Sequence, residues 1–421
     1  MSSRQIIITA VVAVVVLLVI GGFAWTWRPA IAPISDAERP RFDEKTFRHG
    51  AELAAIGNCH DCHQAGTGEP YAGGRAIPTP FGKVFSSNIT PDADTGIGTW
   101  SEAAFKRAMY EGVGHDGRQL YPAFPYVHFT KATDDDVHAL YVFLMNGPAV
   151  HNVVPVNKLE FPFNHRLLVA GWKILFLHEA ALVPDSGQTA EWNRGRYLVE
   201  GLGHCGDCHT PRNFLGAEKK RDAFAGAVVE GWEAPPLNAR SLAAHTWTID
   251  QLAEYLSTGW TRWHGAAAGP MTNVTRNLAE AQSQDVRAMA TYIASLLPQS
   301  GGPTDVAPLE KKQVPGASAE VVAIFAGACA NCHDDRNDVG PSKAVSLTLS
   351  SAVRQPEAAN TVRVILQGIQ PPADAPGAYM PAFRHMLSDR QIALLAEYVR
   401  ARYTNLPQWA DVLEEISKAE Q

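Results

Sequence analysis

The chain lacks a long basic block, a spare cysteine and any recognisable hydrolase or nucleotide-binding motif, and each absence narrows what it can do. Charged residues of both signs are spread along its 421 residues, with a formal net charge of −7, so a surface built to neutralise a nucleic-acid backbone is not expected. Gly-x-Ser-x-Gly and the phosphate-binding Gly-Lys-Ser/Thr are both missing. His178-Glu179 starts like a His-Glu-x-x-His zinc site but has no second histidine. No organic active site is legible, and no catalytic residue is assigned. A hydrophobic content of 46% excludes disorder, and the length leaves room for about three domains.

All six cysteines fall into one repeated pattern: Cys59-His60-Asp61-Cys62-His63, Cys205-Gly206-Asp207-Cys208-His209 and Cys329-Ala330-Asn331-Cys332-His333. None remains for a disulfide. Cys-x-x-Cys-His is the attachment signature of c-type haem. Two thiols three positions apart share one helical face, where they can form thioethers to both vinyl groups, and the adjoining histidine meets the iron. A thioredoxin-like pair would not need the trailing histidine. A zinc ribbon would place its pairs about 15–20 residues apart, far closer than these. The expected cofactors are three covalently bound haems c, with His63, His209 and His333 as proximal ligands.

From Ile6 to Trp27 there is no charged residue. At ~1.5 Å per residue, a helix of that length reaches ~33 Å, enough for a hydrocarbon core of ~30 Å. The segment 6–27 is therefore expected to be a transmembrane anchor, with Trp25 and Trp27 in the interfacial belt. The competing reading is a cleaved signal ending at Ala30-Ile31-Ala32, but the apolar run exceeds the usual length for one.

Each motif closes a short helical pattern, Phe47 to Asn58, Glu191 to Gly203 and Ser318 to Ala328. A second helix recurs after Trp100-Ser101-Glu102 and Trp247-Thr248-Ile249-Asp250, and over Asn360 to Gln367. A closing helix recurs after Thr133, Ser283 and Ser388, carrying Tyr141, Tyr292 and Tyr398. This long-period repeat matches the cytochrome c fold. The expected architecture is all-α: three tandem cytochrome c domains, 43–150, 187–299 and 316–405, after the anchor. The connecting segment 151–186 holds an apolar helix over Arg166 to Leu177, either a buried bridge or a docking surface for membrane or partner. Gln299 to Pro303 reads as a linker.

A low-spin haem needs a second axial ligand from a loop on its far face. Gly269-Pro270-Met271 offers Met271 in the second domain, and Tyr379-Met380-Pro381 offers Met380 in the third, ahead of the weaker His385 and Met386. The first domain breaks the pattern. Its loop reads Tyr121-Pro122-Ala123-Phe124-Pro125-Tyr126-Val127-His128, with Phe124 where a ligand belongs, and a phenyl ring cannot bind iron. His128 is the favoured replacement; His115, or an iron that is open or otherwise ligated, is the alternative. Two histidines would place this haem at lower potential than its methionine-ligated neighbours. The stretch Thr79 to Trp100, including Asn88-Ile89-Thr90-Pro91-Asp92, is read as an irregular loop. It either wraps the haem edge, offering donors to a propionate, or is plain surface.

Together these motifs, with Phe161-Pro162-Phe163-Asn164 and Ala170-Gly171-Trp172, resemble the triheme cytochrome c subunits of membrane-bound bacterial dehydrogenases for alcohols, gluconate, sorbitol and aldehydes. The resemblance covers nearly the whole chain. It implies an electron-transfer subunit that accepts electrons from a separate dehydrogenase subunit and passes them to ubiquinone or a terminal oxidase. It also implies haem domains in the periplasm, on a single-pass anchor in the cytoplasmic membrane. Phe124, His128 and Lys173 depart from the alcohol and polyol branch and look more like the branch serving molybdenum hydroxylases, such as aldehyde dehydrogenase or the isoquinoline and nicotinate oxidoreductases. In that branch the partners are a molybdopterin subunit and a small [2Fe–2S] subunit. A quinoprotein or flavoprotein alcohol or polyol dehydrogenase is the alternative partner. A catalytic haem peroxidase and a tethered relay to an oxidase are the rival classes.

Overall fold

The computed structural model describes residues 27–243, 246–298, 312–333, 347–370 and 379–419. The expected anchor, apart from Trp27, and the linker 299–303 lie outside the described residues. Among the described residues no helix is long and apolar enough to cross a membrane. The chain divides into two compact units, Met1–Ala51 with Cys59–Leu182, and Glu52–Asn58 with Val183–Gln421.

The first repeat opens with α1 (Glu44–Ile56), whose residues from Glu52 on are counted with the second unit, and continues in the first unit with the single turn α2 (Cys59–Cys62). Then come β1 (Ala76–Thr79), β2 (Gly82–Phe85), α3 (Glu102–Glu111), α4 (Tyr126–Phe129), α5 (Asp134–Met145), β3 (Lys158–Leu159) and α6 (Leu167–Phe176). The sheet is antiparallel with order β1-β2-β3.

The second unit holds two further repeats. One runs α7 (Ala190–Glu200), α8 (Gly206–His209), β4 (Ala227–Val229), β5 (Trp232–Ala234) and α9 (Ile249–Thr258), then β6 (Trp260–Thr261), β7 (Gly265–Ala266), α10 (Pro270–Leu278) and α11 (Ser283–Leu296). The other runs α12 (Ala319–Ala328), α13 (Ala330–His333), α14 (Ser351–Arg354), α15 (Ala359–Gln367), α16 (Asp389–Tyr403) and α17 (Val412–Ala419). Trp409, Val412 and Ile416 are buried in the last core, which thus continues beyond residue 405.

The three repeats are built alike where their first and last helices meet. The third residue of each closing helix pairs with the opening helix. Asp136 Oδ1 lies 2.7 Å from His49 Nε2, Asp285 accepts both nitrogens of Arg194 at 2.9 and 2.7 Å, and Gln391 Nε2 donates to Glu320 at 3.0 Å. The same helix ends are capped in two repeats by Thr133 and Ser388, whose side chains accept from the residue three places on. Beside these pairs the opening helices of the first two repeats carry Gly50 and Gly195. A Cβ there would stand 2.1 Å from the Ala139 carbonyl oxygen and 1.9 Å from that of Ala288. In the third repeat the residue after Glu320 is Val321, buried in the core.

The all-α expectation needs one correction. The fold is largely helical but carries short antiparallel hairpins, and Thr79-Pro80-Phe81-Gly82, read from sequence as part of an irregular loop, is the turn between β1 and β2. In the second repeat Glu230 and Gly231, at φ 50° and 78°, form a tight turn between β4 and β5. Two successive positive-φ residues match the twist of a two-residue hairpin.

Candidate functional site

Each Cys-x-x-Cys-His motif is wound into one helical turn. The histidine N–H donates to the carbonyl of the first cysteine at 2.9 Å for His63, 3.0 Å for His209 and 2.9 Å for His333. One turn brings both thiols and the imidazole to a single site, as haem attachment requires. Burial pushes the Cys59 and Cys205 thiols up to about 12 and Cys329 to about 11. A dithiol exchanger needs the opposite, a stabilised thiolate.

The proximal histidines of the first two motifs are oriented in the same way. His63 Nδ1 lies 2.6 Å from the Ser87 carbonyl and His209 Nδ1 lies 2.7 Å from the Pro235 carbonyl. A carbonyl only accepts, so Nδ1 carries the proton and the Nε2 lone pair is left for iron. Burial also lowers the pKa of both imidazoles, against the opposing pull of these hydrogen bonds. Each accepting carbonyl follows the second strand of the hairpin after the motif, which explains why both repeats have one. A second shared device is an arginine. Arg75 and Arg212 donate at 3.0 Å to the carbonyls of Asp61 and Asp207, the residues before the second cysteine, and Arg212 also pairs with the Asp207 carboxylate at 2.7 Å.

In the second unit one cavity is lined by Cys205, Cys208, His209 and Met271 together with Cys329, Cys332, His333 and Met380. The structure thus brings together every site residue predicted for the second and third repeats. Met271 opens α10 behind Gly269, whose φ of 56° and contact with the Trp232 ring, 2.4 Å from any added Cβ, leave room for glycine alone. Met380 is held by paired backbone bonds to Ile369 at 2.9 and 2.8 Å. Glu233 Oε2 and Thr361 Oγ1, both in the wall of this cavity, are buried without a protein partner. A slot with thiol pairs, neutral imidazole, thioether sulfur and unspent polar atoms fits haem, whose ring is apolar and whose propionates are polar.

The first site is different. His128 is 5% exposed within α4. Phe124 is packed in an aromatic cluster, its ring 5.3 Å from Phe129 and 6.4 Å from Tyr126. His115 lies 5.0 Å from the Trp100 ring, and its counterpart in the second repeat, His264, stacks on Trp247 at 3.5 Å. A tryptophan–histidine pair belongs to both repeats, including the one with a methionine ligand candidate. His115 therefore has a packing role independent of iron.

The loop 88–95 spends its polar groups on itself. Asn88 donates to Thr95 and to the Val150 carbonyl, Thr90 bonds to Asn88, and Thr95 bonds to Asp92. Asn88 and Thr90 are only 2% and 3% exposed, so of the two readings of this loop the structure supports neither a propionate donor nor plain surface, but a buried brace.

Lys173 faces inward from α6, its Nζ donating at 2.6 Å to the Glu111 and Gly112 carbonyls and to Gln119 Oε1. Burial lowers this ammonium to about 7, yet three acceptors require the three N–H donors of the charged form.

Sequence reasoning missed the carbonyls of Ser87 and Pro235 and the arginines 75 and 212. The carbonyls have a positional signal, a hairpin at a similar distance after two of the motifs, which is not visible until the strands are known; the arginines, twelve places after His63 and three after His209, have none.

Residues 316–399 match the family model described as cytochrome c oxidase, cbb3-type, subunit III. A nicotinate dehydrogenase subunit of Pseudomonas putida is 45% identical over 92% of this chain, which spans only 33% of that relative. The fructose dehydrogenase cytochrome subunit of Gluconobacter japonicus is 33% identical, over 93% of this chain and 85% of its own length. The gluconate 2-dehydrogenase cytochrome c subunit of Pantoea cypripedii is 34% identical, over 86% and 87%. With haem-attachment turns repeated along it and relatives matched over most of their length, the chain belongs to the family of cytochrome c subunits of membrane-bound dehydrogenases, carrying covalent haem c and transferring electrons within a dehydrogenase complex.

Proposed function

We propose that the chain holds three haems c and relays electrons from a molybdopterin subunit and a small [2Fe–2S] subunit to ubiquinone or a terminal oxidase, from the periplasmic face of the cytoplasmic membrane. Bound haem supplies reversible one-electron chemistry. The chain's own residues attach it through Cys59 and Cys62, Cys205 and Cys208, and Cys329 and Cys332. His63, His209 and His333 would bind its iron through Nε2, and Met271 and Met380 would be further iron ligands in the second and third sites. In the first, with Phe124 in the ligand position and His115 engaged by Trp100, His128 is the proposed sixth ligand.

The observation that carries this reading is the shared cavity of the second unit, where two complete ligand sets line one continuous space suited to transfer between them. The molybdenum branch is supported by Phe124, His128 and Lys173, and by the 45% identity to a nicotinate dehydrogenase subunit. Anchoring is supported by the residues just after the apolar stretch. Ile31 donates to the His115 carbonyl, Arg107 donates to the Pro29 carbonyl, and Arg28 pairs with Glu111. A cut after Ala32 would remove residues that belong to the folded unit.

The test is purification of the complex from solubilised membranes with haem, metal and cofactor analysis. The expected result is three haems per cytochrome chain, with molybdenum and non-haem iron in co-eluting subunits. A quinone cofactor or flavin in place of molybdenum would move the chain to the other branch, and a haem count of two would remove one site.

A further inference from the structure

Helix α6 is built inside out. Its sequence, Leu-Leu-Val-Ala-Gly-Trp-Lys-Ile-Leu-Phe, holds one charged residue, and that residue is turned into the protein. Lys173 is fixed by three oxygens at 2.6 Å and lies 4.9 Å from the Tyr126 ring centre. Arg166, just before the helix, also turns inward, donating to the Gln119 carbonyl at 2.6 Å over the Tyr121 ring. Leu167, Leu168, Ile174 and Leu175 are left outside, 48–60% exposed, and Phe161 on the approach loop is 80% exposed. A soluble surface helix does the reverse.

The place of this face says what covers it. The described chain begins at Trp27, itself 62% exposed, directly after a stretch without charge. Arg28 pairs with the Glu111 carboxylate at 3.7 Å, while the carbonyl of the same Glu111 accepts from Lys173. Gly117 is packed on the Arg28 carbonyl, where a Cβ would come within 2.0 Å. The exit of the apolar stretch and helix α6 are thus fastened to the same strip, residues 111–119. A protein interface of this size would mix polar anchors among its apolar contacts. The helix face of Leu167, Leu168, Ile174 and Leu175 holds none, the exposed polar Asn164 and His165 standing before the helix on the approach loop, which suits acyl chains.

We infer that α6 and the Phe161 loop lie in the membrane interface as a second lipid contact, sinking Leu167, Leu168, Ile174 and Leu175 beside the point where the N-terminal stretch enters the bilayer. The inference rests on reading residues 6–27 as an anchor. An interfacial helix usually solvates its polar side with water and headgroups; here the protein's own carbonyls do so. The contact fixes the orientation of the first unit against the bilayer, which a single tether cannot.

The test uses the full chain with its co-purified subunits in vesicles of phosphatidylethanolamine and phosphatidylglycerol doped with a photoactivatable lipid, its diazirine in the acyl chain, and maps adducts by peptide mass spectrometry. Adducts are expected both in 1–27 and in 161–176, and in the L168E/I174E variant the second set falls to background while the first persists. Adducts confined to 1–27 would overturn the inference and leave the anchor standing. Crosslinks from 161–176 to a partner subunit in place of lipid would also overturn it, making the face a protein interface. Adducts at 161–176 alone would remove the anchor and with it the inferred place of α6 beside that anchor, leaving α6 as the sole lipid contact, and adducts at neither would remove both.

Discussion

At the scale of single residues the first site turns on one substitution in a repeated loop. Phe124 occupies the position that Met271 and Met380 fill elsewhere, and its ring is packed against Phe129. His128, buried in the adjoining turn of α4, is the sixth ligand proposed above, and the spin state would then depend on it. H128A is expected to convert one haem of the set to high spin, visible by electron paramagnetic resonance, and to open it to an exogenous ligand such as imidazole. H115A is expected to leave all spin states unchanged, because His115 packs against Trp100 at 5.0 Å in the place where His264 stacks on Trp247. An unchanged spectrum for H128A would assign the ligand elsewhere. The three Cys-x-x-Cys-His turns were legible from sequence because a covalent cofactor demands fixed residue types at fixed spacing, and Met271 and Met380, proposed from their loops, line the same cavity as two of them. The groups that orient them were not. Ser87 and Pro235 act through backbone carbonyls, which leave no mark on residue identity, and Asn88 and Thr90 are braces whose partners become adjacent only after folding.

At the scale of elements the helices followed from capping and periodicity, while the hairpins did not. β1, β2, β4 and β5 are three or four residues long, too short for alternation to register. They exist because a turn and a histidine-binding carbonyl are needed after the motif. The crossing of first and last helices gives a sharper test of what each glycine is for. G195A drives a methyl group against the Ala288 carbonyl, where a Cβ would sit at 1.9 Å. The helices must separate, at a cost of about 1–3 kcal/mol typical of overpacking, against a gain of about 1 kcal/mol in helix propensity. G171A, on the open face of α6 with nothing within 4 Å, keeps the gain alone. Thermal unfolding of the holoprotein followed by circular dichroism is expected to show G195A melting below the parent and G171A at or above it. A rise for G195A would mean that the crossing gives way more easily than its geometry implies.

At the scale of the whole molecule the second unit places two ligand sets on one cavity, so a single charge in its wall bears on both. Glu233 is that charge. Its backbone is clamped to Asn360 by two bonds of 2.8 Å, joining the second repeat to the third, and its Oε2 is buried without a protein partner. Burial, reinforced by Glu357 and Glu415, raises its carboxyl to about 7. Two consequences carry a definite sign. Because the folded-state pKa lies above the ordinary value of 4.5, folding takes up a proton, and the stability from this group is fully present below about 4.5 and lost as pH rises through about 7. Ionisation also sets a negative charge beside the cavity and favours ferric over ferrous iron, so reduction potentials should fall as pH rises through about 7, by an amount on the order of tens of millivolts. Spectroelectrochemical titration of the three proposed haems across that range is expected to show the fall in two of them. In E233Q, which keeps the shape and cannot ionise, the potentials should stay level near their low-pH values. A slope that persists in E233Q would place the titrating group elsewhere, and a slope in the first haem alone would separate it from this cavity altogether.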